Sequence, residues 1–350
     1  MLCCCSVLSW LKGMEDASSH QHDQANLRMS APSVHFLANN LIEEIRDKGI
    51  DAETATIYDL EDLRSKDCGF IRSKGDNVIC PQDGRLGAAY VDCIHGDDFV
   101  GQANVMLSYT WGYRIMDIVT TLVAQCQKEA RDPKRTYVWI CCLCNNQHRI
   151  ADEEKVPFED FRKIFYGTVA GVGTVWSMMF PWDNPTYLTR VWCVFEMYVA
   201  NTEEGVISKI IIPESEKNKM IEDLGNIDTL FNALSNTKIE NAKASRPDDE
   251  KNILALIEDE IGYKEFNVVV NVLLREWISS VLLSVVVDED EDTRSFHDTD
   301  DAADYTTKLS NIANALSQLS FPEDALKVHK KCLAIREKSL GKEHPSTATV

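Results

Sequence analysis

Glu196 is the residue of this chain best placed to do chemistry. It sits in Leu188-Thr189-Arg190-Val191-Trp192-Cys193-Val194-Phe195-Glu196-Met197-Tyr198, a lone carboxylate in an apolar, aromatic stretch. On a helix, Trp192 and Glu196 are four residues apart and share a face, so the indole can anchor the helix while the carboxylate faces a cleft. A fixed carboxylate beside aromatic walls suits stabilisation of a developing cation. Other combinations are weaker. Cys141-x-x-Cys144 with His148 offers fewer than the four ligands of a structural zinc site, and the cysteines read as small buried hydrophobes alternating along a strand. Gly167-x-x-x-Gly171-x-Gly173 lacks the Lys-Ser/Thr of a phosphate loop, and no Ser, His and Asp set marks a hydrolase elbow. His20 and His22 are too bare to argue for a metal, so no metal site is expected.

The elements that must position Glu196 follow from hydrophobic periodicity. Residues 105–109 read as a strand, 115–128 as a helix, 136–143 as a strand, 157–170 as a helix, 173–179 as a strand and 206–212 as another, with 239–244 a further candidate. A helix is expected over 33–48, where Val34, Phe36, Leu37, Leu41, Ile42 and Ile45 recur at helical spacing before Gly49, and another over 247–261. Strands alternating with helices imply an α/β fold, a parallel sheet covered on both faces. Ligands bind such sheets at the carboxyl ends of the strands, so the loops after Tyr109, Leu143 and Met179 should gather near Glu196.

Two resemblances sharpen this. Asn104-Val105-Met106-Leu107-Ser108-Tyr109-Thr110-Trp111 resembles the first strand and loop of Toll/interleukin-1 receptor (TIR) domains, and Trp192-Cys193-Val194-Phe195-Glu196 resembles the Trp-Cys-x-x-Glu of their plant-type members. That resemblance implies a flavodoxin-like parallel sheet with flanking helices and self-association through the loop of residues 145–156. It also implies a match between Glu196 and the glutamate of NAD-hydrolysing members, with NAD as substrate rather than cofactor. Cleavage of the nicotinamide ribosyl bond builds positive charge on the ribose, which one carboxylate can stabilise because pyridinium already leaves readily. Trp111, Tyr113 and Trp192 would then be the pocket aromatics. Near the C-terminus, residues 325–345, ending in Leu340-Gly341-Lys342-Glu343-His344-Pro345, resemble the tetratricopeptide repeat of kinesin light chains. This implies an α-helical hairpin that recognises a protein partner.

Composition bounds the partners. The 350 residues carry a formal charge of −20, which disfavours a nucleic-acid backbone or an anionic membrane surface. Twelve scattered or adjacent cysteines fit a reducing compartment, and the expected location is cytoplasmic. Cys3, Cys4 and Cys5 suggest S-acylation and so a possible lipid anchor, although no polybasic stretch follows them. Residues 266–287 are strongly apolar, but Arg275 and Glu276 interrupt them, which favours a packed helix over a transmembrane one. The expected organisation is a disordered tail (1–32), an unassigned region (33–103), the α/β domain (104–287), an acidic linker (288–302) and one repeat hairpin (303–350) that reads as the start of a longer array. The leading expectation is an intracellular signalling scaffold. An NAD hydrolase is the alternative, and a kinesin light chain-like cargo adaptor is the third reading. Against the third, nothing before residue 300 shows sustained heptads.

Overall fold

The computed structural model describes residues 29–62, 67–151, 158–223, 238–287, 299–339, 341 and 347. The cysteines of the expected lipid anchor, nearly all of the acidic linker, and the repeat's closing Lys342-Glu343-His344-Pro345 lie outside the described residues. The chain divides into two compact units. One is drawn from Met1–Pro181, Pro185–Glu214 and Lys238–Phe266, the other from Trp182–Asn184, Ser215–Thr237 and Asn267–Val350.

The first unit is built on a four-stranded, wholly parallel sheet. Strands β1 (Ser30–Pro32) and β2 (Val100–Gln102) form a separate antiparallel pair. The main sheet holds β3 (Val105–Ser108), β4 (Val138–Trp139), β5 (Thr174–Met178) and β6 (Ile207–Ile211) in the order β4-β3-β5-β6. Every residue of β3 and of β5 is buried, as befits central strands covered on both faces. Strand β6 alternates exposed and half-buried residues along Ile-Ser-Lys-Ile, the pattern of an edge.

Helices cover these strands for legible reasons. In α1 (Ile115–Lys128), Ile115, Ile118, Val119, Leu122 and Cys126 make one buried stripe. Helix α2 (Phe158–Val172) ends at Gly173, whose φ of +72° turns the chain directly into β5. Helix α3 (Val191–Thr202) carries Glu196 and is buried over most of its surface. It packs beside α4 (Pro247–Glu260), which opens with Pro247 and three acidic residues at its positive end. Residues 33–103 belong to the same unit. Their first helical stretch runs from Val34 to Asp47 through a π-helical turn at Leu37–Leu41, and Val34 donates its N–H to the Thr136 carbonyl.

Two expected strands take other forms. Pairing over 136–143 stops at Trp139, and Cys141–Cys144 coil into a helical turn closed by the Leu143 and Cys144 N–H groups on the Ile140 carbonyl. A short apolar run has the same periodicity in a buried strand and in a buried helical turn. Over 239–244 the chain makes a 3-10 turn, Ile239–Asn241, and touches the loop before α3 through one parallel bridge, Arg190 to Lys243.

The second unit holds most of a 25-residue helix, α5 (Tyr263–Val287), and a helical hairpin. By length and composition α5 could cross a membrane, with a mean hydropathy of 1.7 over its most apolar 18-residue window. Val270, Leu274, Trp277, Ile278, Val281, Leu282 and Val285 of this helix are nevertheless buried, while Arg275 and Glu276 at its middle are exposed. The hairpin pairs α6 (Thr299–Gln318) with α7 (Pro322–Ser339). Ala313 and Ala325 are both buried and let the helices approach closely. The turn is set by Ser320 at φ +72°, with the Phe321 N–H on the Leu316 carbonyl. Cys332 Sγ and Arg336 both reach the Thr306 carbonyl, so the hairpin has a polar lock inside its apolar seam.

Candidate functional site

Strand β3 ends at Ser108, and Ser108 is where the sheet's polar chemistry concentrates. The chain leaves β3 for β4 on one side and returns to β5 on the other, which makes the carboxyl ends of β3 and β5 a topological switch point. Open α/β sheets bind ligands at such a point. Here it is filled from within. Ser108 Oγ donates to Glu196 Oε2 at 2.5 Å and lies 2.7 Å from the Tyr187 hydroxyl, which itself donates to the Cys193 carbonyl at 2.6 Å. Ser108 and Tyr187 are wholly buried and Glu196 is 2 % exposed. The 3-10 turn Thr186–Thr189 delivers Tyr187, and α3 delivers Cys193 and Glu196 one helical turn later. Cys193 Sγ closes the group by donating to the Tyr109 carbonyl at 3.3 Å. Burial and the neighbouring Cys193 and Glu196 push the Tyr187 phenol well above its ordinary value, so it serves as a hydrogen-bonding hydroxyl throughout the physiological range.

The aromatic residues grouped with Glu196 are likewise core residues. Trp111 is 2 % exposed, packs against Tyr58 and aims its indole N–H at Cys141 Sγ, 3.5 Å away. Tyr113 is 3 % exposed and stacks on Phe180 with ring centroids 3.8 Å apart. Its hydroxyl donates to the Phe180 carbonyl and accepts from the Phe180 N–H, and burial raises the phenol above its usual range. Trp192 is also buried. Phe195 stacks on Phe165, and Tyr198 lies against Phe266. As a chemical device, the Ser108, Tyr187 and Glu196 group ties the end of β3 to α3 and to the turn before it.

Ser108 and Tyr187 carry no signal in sequence as partners of Glu196, since they lie 88 and 9 positions away with no shared motif. A second group was also missed. Cys68, Asp76 and His148 place one potential ligand atom each within 4.8 Å of one another. His148, read from sequence beside Cys141 and Cys144, thus keeps company with two residues of the unassigned region. Cys141, Cys142 and Cys144 are all buried, and burial drives the Cys144 thiol far above its usual pKa.

Taken together, the molecule combines a mixed α/β unit carrying a four-stranded parallel sheet with a C-terminal helical hairpin. The family model for the tetratricopeptide repeat matches residues 306–346, which covers most of that hairpin. No curated protein matches the chain, and no solved structure does.

Proposed function

We propose that this protein is an intracellular scaffold that binds a protein partner through its tetratricopeptide hairpin. The observation that carries the reading is the repeat match over residues 306–346, on two helices that pack as a closed hairpin. Repeats of this kind bind proteins by presenting a helical surface, and Leu326 on α7 is a large apolar side chain exposed there. In this reading residues 104–287 are a TIR-like, flavodoxin-like module that self-associates, 288–302 an acidic linker and 303–350 the start of the repeat region. The strand order supports it, because second-first-third-fourth is the beginning of the flavodoxin-like order. Cytoplasmic location and S-acylation at Cys3, Cys4 and Cys5 belong to the same proposal. The cargo-adaptor reading rests on the repeat alone.

The test compares proteins cross-linked in cells to the full chain with those cross-linked to a Leu326→Glu/Lys330→Glu variant. Partners recovered by the first and lost by the second support recognition through the hairpin; identical sets overturn it. Light scattering over a range of concentrations tests self-association, and a chain monomeric throughout removes that part.

NAD hydrolysis is the second reading, favoured by the position of Glu196 at the carboxyl end of β3. The tight packing around that carboxyl gives the scaffold precedence, since no substrate ribose reaches a group held in this way without rearrangement of α3. Nicotinamide release by the full chain at high concentration decides between them. Absence of turnover is expected; turnover abolished by Glu196→Ala would put the hydrolase first.

A further inference from the structure

We propose that Cys68, Asp76 and His148 form a binding site for a zinc-class divalent ion, with one coordination position left open to solvent. The three donors come from segments far apart in sequence, yet their ligand atoms all lie within 4.8 Å of one another. Cys68 Sγ and Asp76 Oδ1 are already 3.7 Å apart. Two ligands on a tetrahedral zinc, at about 2.0 to 2.3 Å from the metal, are separated by roughly 3.5 Å, so closing the site on an ion needs only small side-chain movements.

The frame around the donors is rigid. Cys68 and Asp76 flank the six-residue helix Phe70–Gly75, and Glu61 grips its start. The Glu61 carboxylate accepts the Gly69 and Arg72 N–H groups and the Arg72 Nε–H, with both side chains almost fully buried. Arg72 in turn donates to the Asp62 and Asp67 carbonyls, so Asp67 just before Cys68 is tied to Arg72 as Gly69 just after it is tied to Glu61. On the opposite wall, Asn146 accepts the His148 N–H and donates to the Gly87 carbonyl. The imidazole lies so close to Gly87 that a Cβ there would fall 2.9 Å from His148 Cγ, and Nε2 sits 3.1 Å from the Arg72 carbonyl. The glycine therefore makes room for the ring in its present position.

The donor set points to the class of ion. Sulfur, imidazole nitrogen and carboxylate oxygen together suit zinc and its neighbours, whereas magnesium and calcium prefer oxygen alone. Three protein ligands with a fourth position for water is the arrangement of zinc sites that exchange ligands. A thiolate and a carboxylate also balance the two charges of the ion. Binding replaces the thiol proton shared between Cys68 and Asp76 with the metal and releases that proton to solvent.

The test uses the full chain, stripped with a chelator and kept reduced, then titrated with Zn²⁺ against a chromophoric chelator and separately with Co²⁺. The expected result is one tightly held zinc per chain that Cys68→Ser and Asp76→Asn each weaken at least tenfold, together with a thiolate-to-cobalt charge-transfer band that Cys68→Ser abolishes. Cys68 and Asp76 are exposed, so these variants keep the fold, which circular dichroism checks. Failure to retain zinc overturns the site. So does retention unchanged in both variants, because the ion would then sit on other cysteines such as Cys3, Cys4 and Cys5.

Discussion

The two polar clusters of the α/β unit are built alike and finished differently. Around Ser108, a carboxylate, two hydroxyls and a backbone carbonyl are sealed by α3 and the turn that carries Tyr187. Around Cys68, a sealed pair, Glu61 with Arg72, acts as a foundation, and the donors above it remain reachable. A buried polar group that satisfies its neighbours gives up exchange with solvent and becomes part of the core. A ligand site needs the opposite finish, rigid beneath and open above. The contrast explains why the carboxylate of Glu196 is packed as a lock, while two of the three candidate ligands, Cys68 and Asp76, lie in a region with no recognisable motif.

The comparison breaks most sharply at Glu61. Replacement by alanine leaves the Arg72 guanidinium buried without its carboxylate, and should cost about 4 kcal/mol in chemical denaturation. Because the same carboxylate fixes the chain beside Cys68, zinc retention should fall with it. Glu196→Ala comes next. It removes the acceptor from Ser108 and leaves a small cavity under α3, for a loss of about 3 kcal/mol. Glu196→Gln keeps the volume and should recover much of that loss. Full stability of the alanine variant would mean that the sealed cluster contributes nothing.

The pair beside His148 supplies a pH-dependent test. Arg149 Nε donates to Asp83 Oδ2 at 2.6 Å, and this bond is the main reason the Asp83 carboxyl is held far below its ordinary range. A carboxyl whose folded pKa is depressed stabilises the fold fully above its unfolded value of about 4, and that contribution is lost as pH falls through the folded value. The melting temperature of the wild type should therefore drop below about pH 4. Asp83→Asn should begin about 2 kcal/mol less stable at neutral pH and show a shallower acid decline. Equal slopes in the two proteins would remove Asp83 as the source. The smallest effect belongs to the open cluster: Cys68→Ser should change stability by less than about 0.5 kcal/mol while removing zinc affinity. A large loss of stability in the metal-free protein would show that Cys68 is part of the core.

Much of the scaffold was legible before any coordinates. Helix α1 follows its stripe of Ile115, Ile118, Val119 and Leu122 to the same ends in sequence and structure, and β3, β5 and β6 lie where apolar runs are bounded by polar or glycine residues. These elements are set by local periodicity and by what stops it. Cys141–Cys144 and Ile239–Asn241 were not legible, because a segment three or four residues long, apolar in the first case and mixed in the second, is too short to show a period, and the pairing available from neighbouring segments decides its shape.

By itself, the sequence determined that this protein is an α/β chain followed by a tetratricopeptide hairpin, acidic overall, with Glu196 on a helix beside Trp192. Those properties depend on residue type and near neighbours in the chain. Only tertiary structure decided that Glu196 meets Ser108 and Tyr187 in the dry interior, and that His148 meets Cys68 and Asp76 near the surface. Such encounters join residues as many as 88 positions apart. Whether a polar side chain becomes a lock or a ligand depends on the water left around it once the chain has packed.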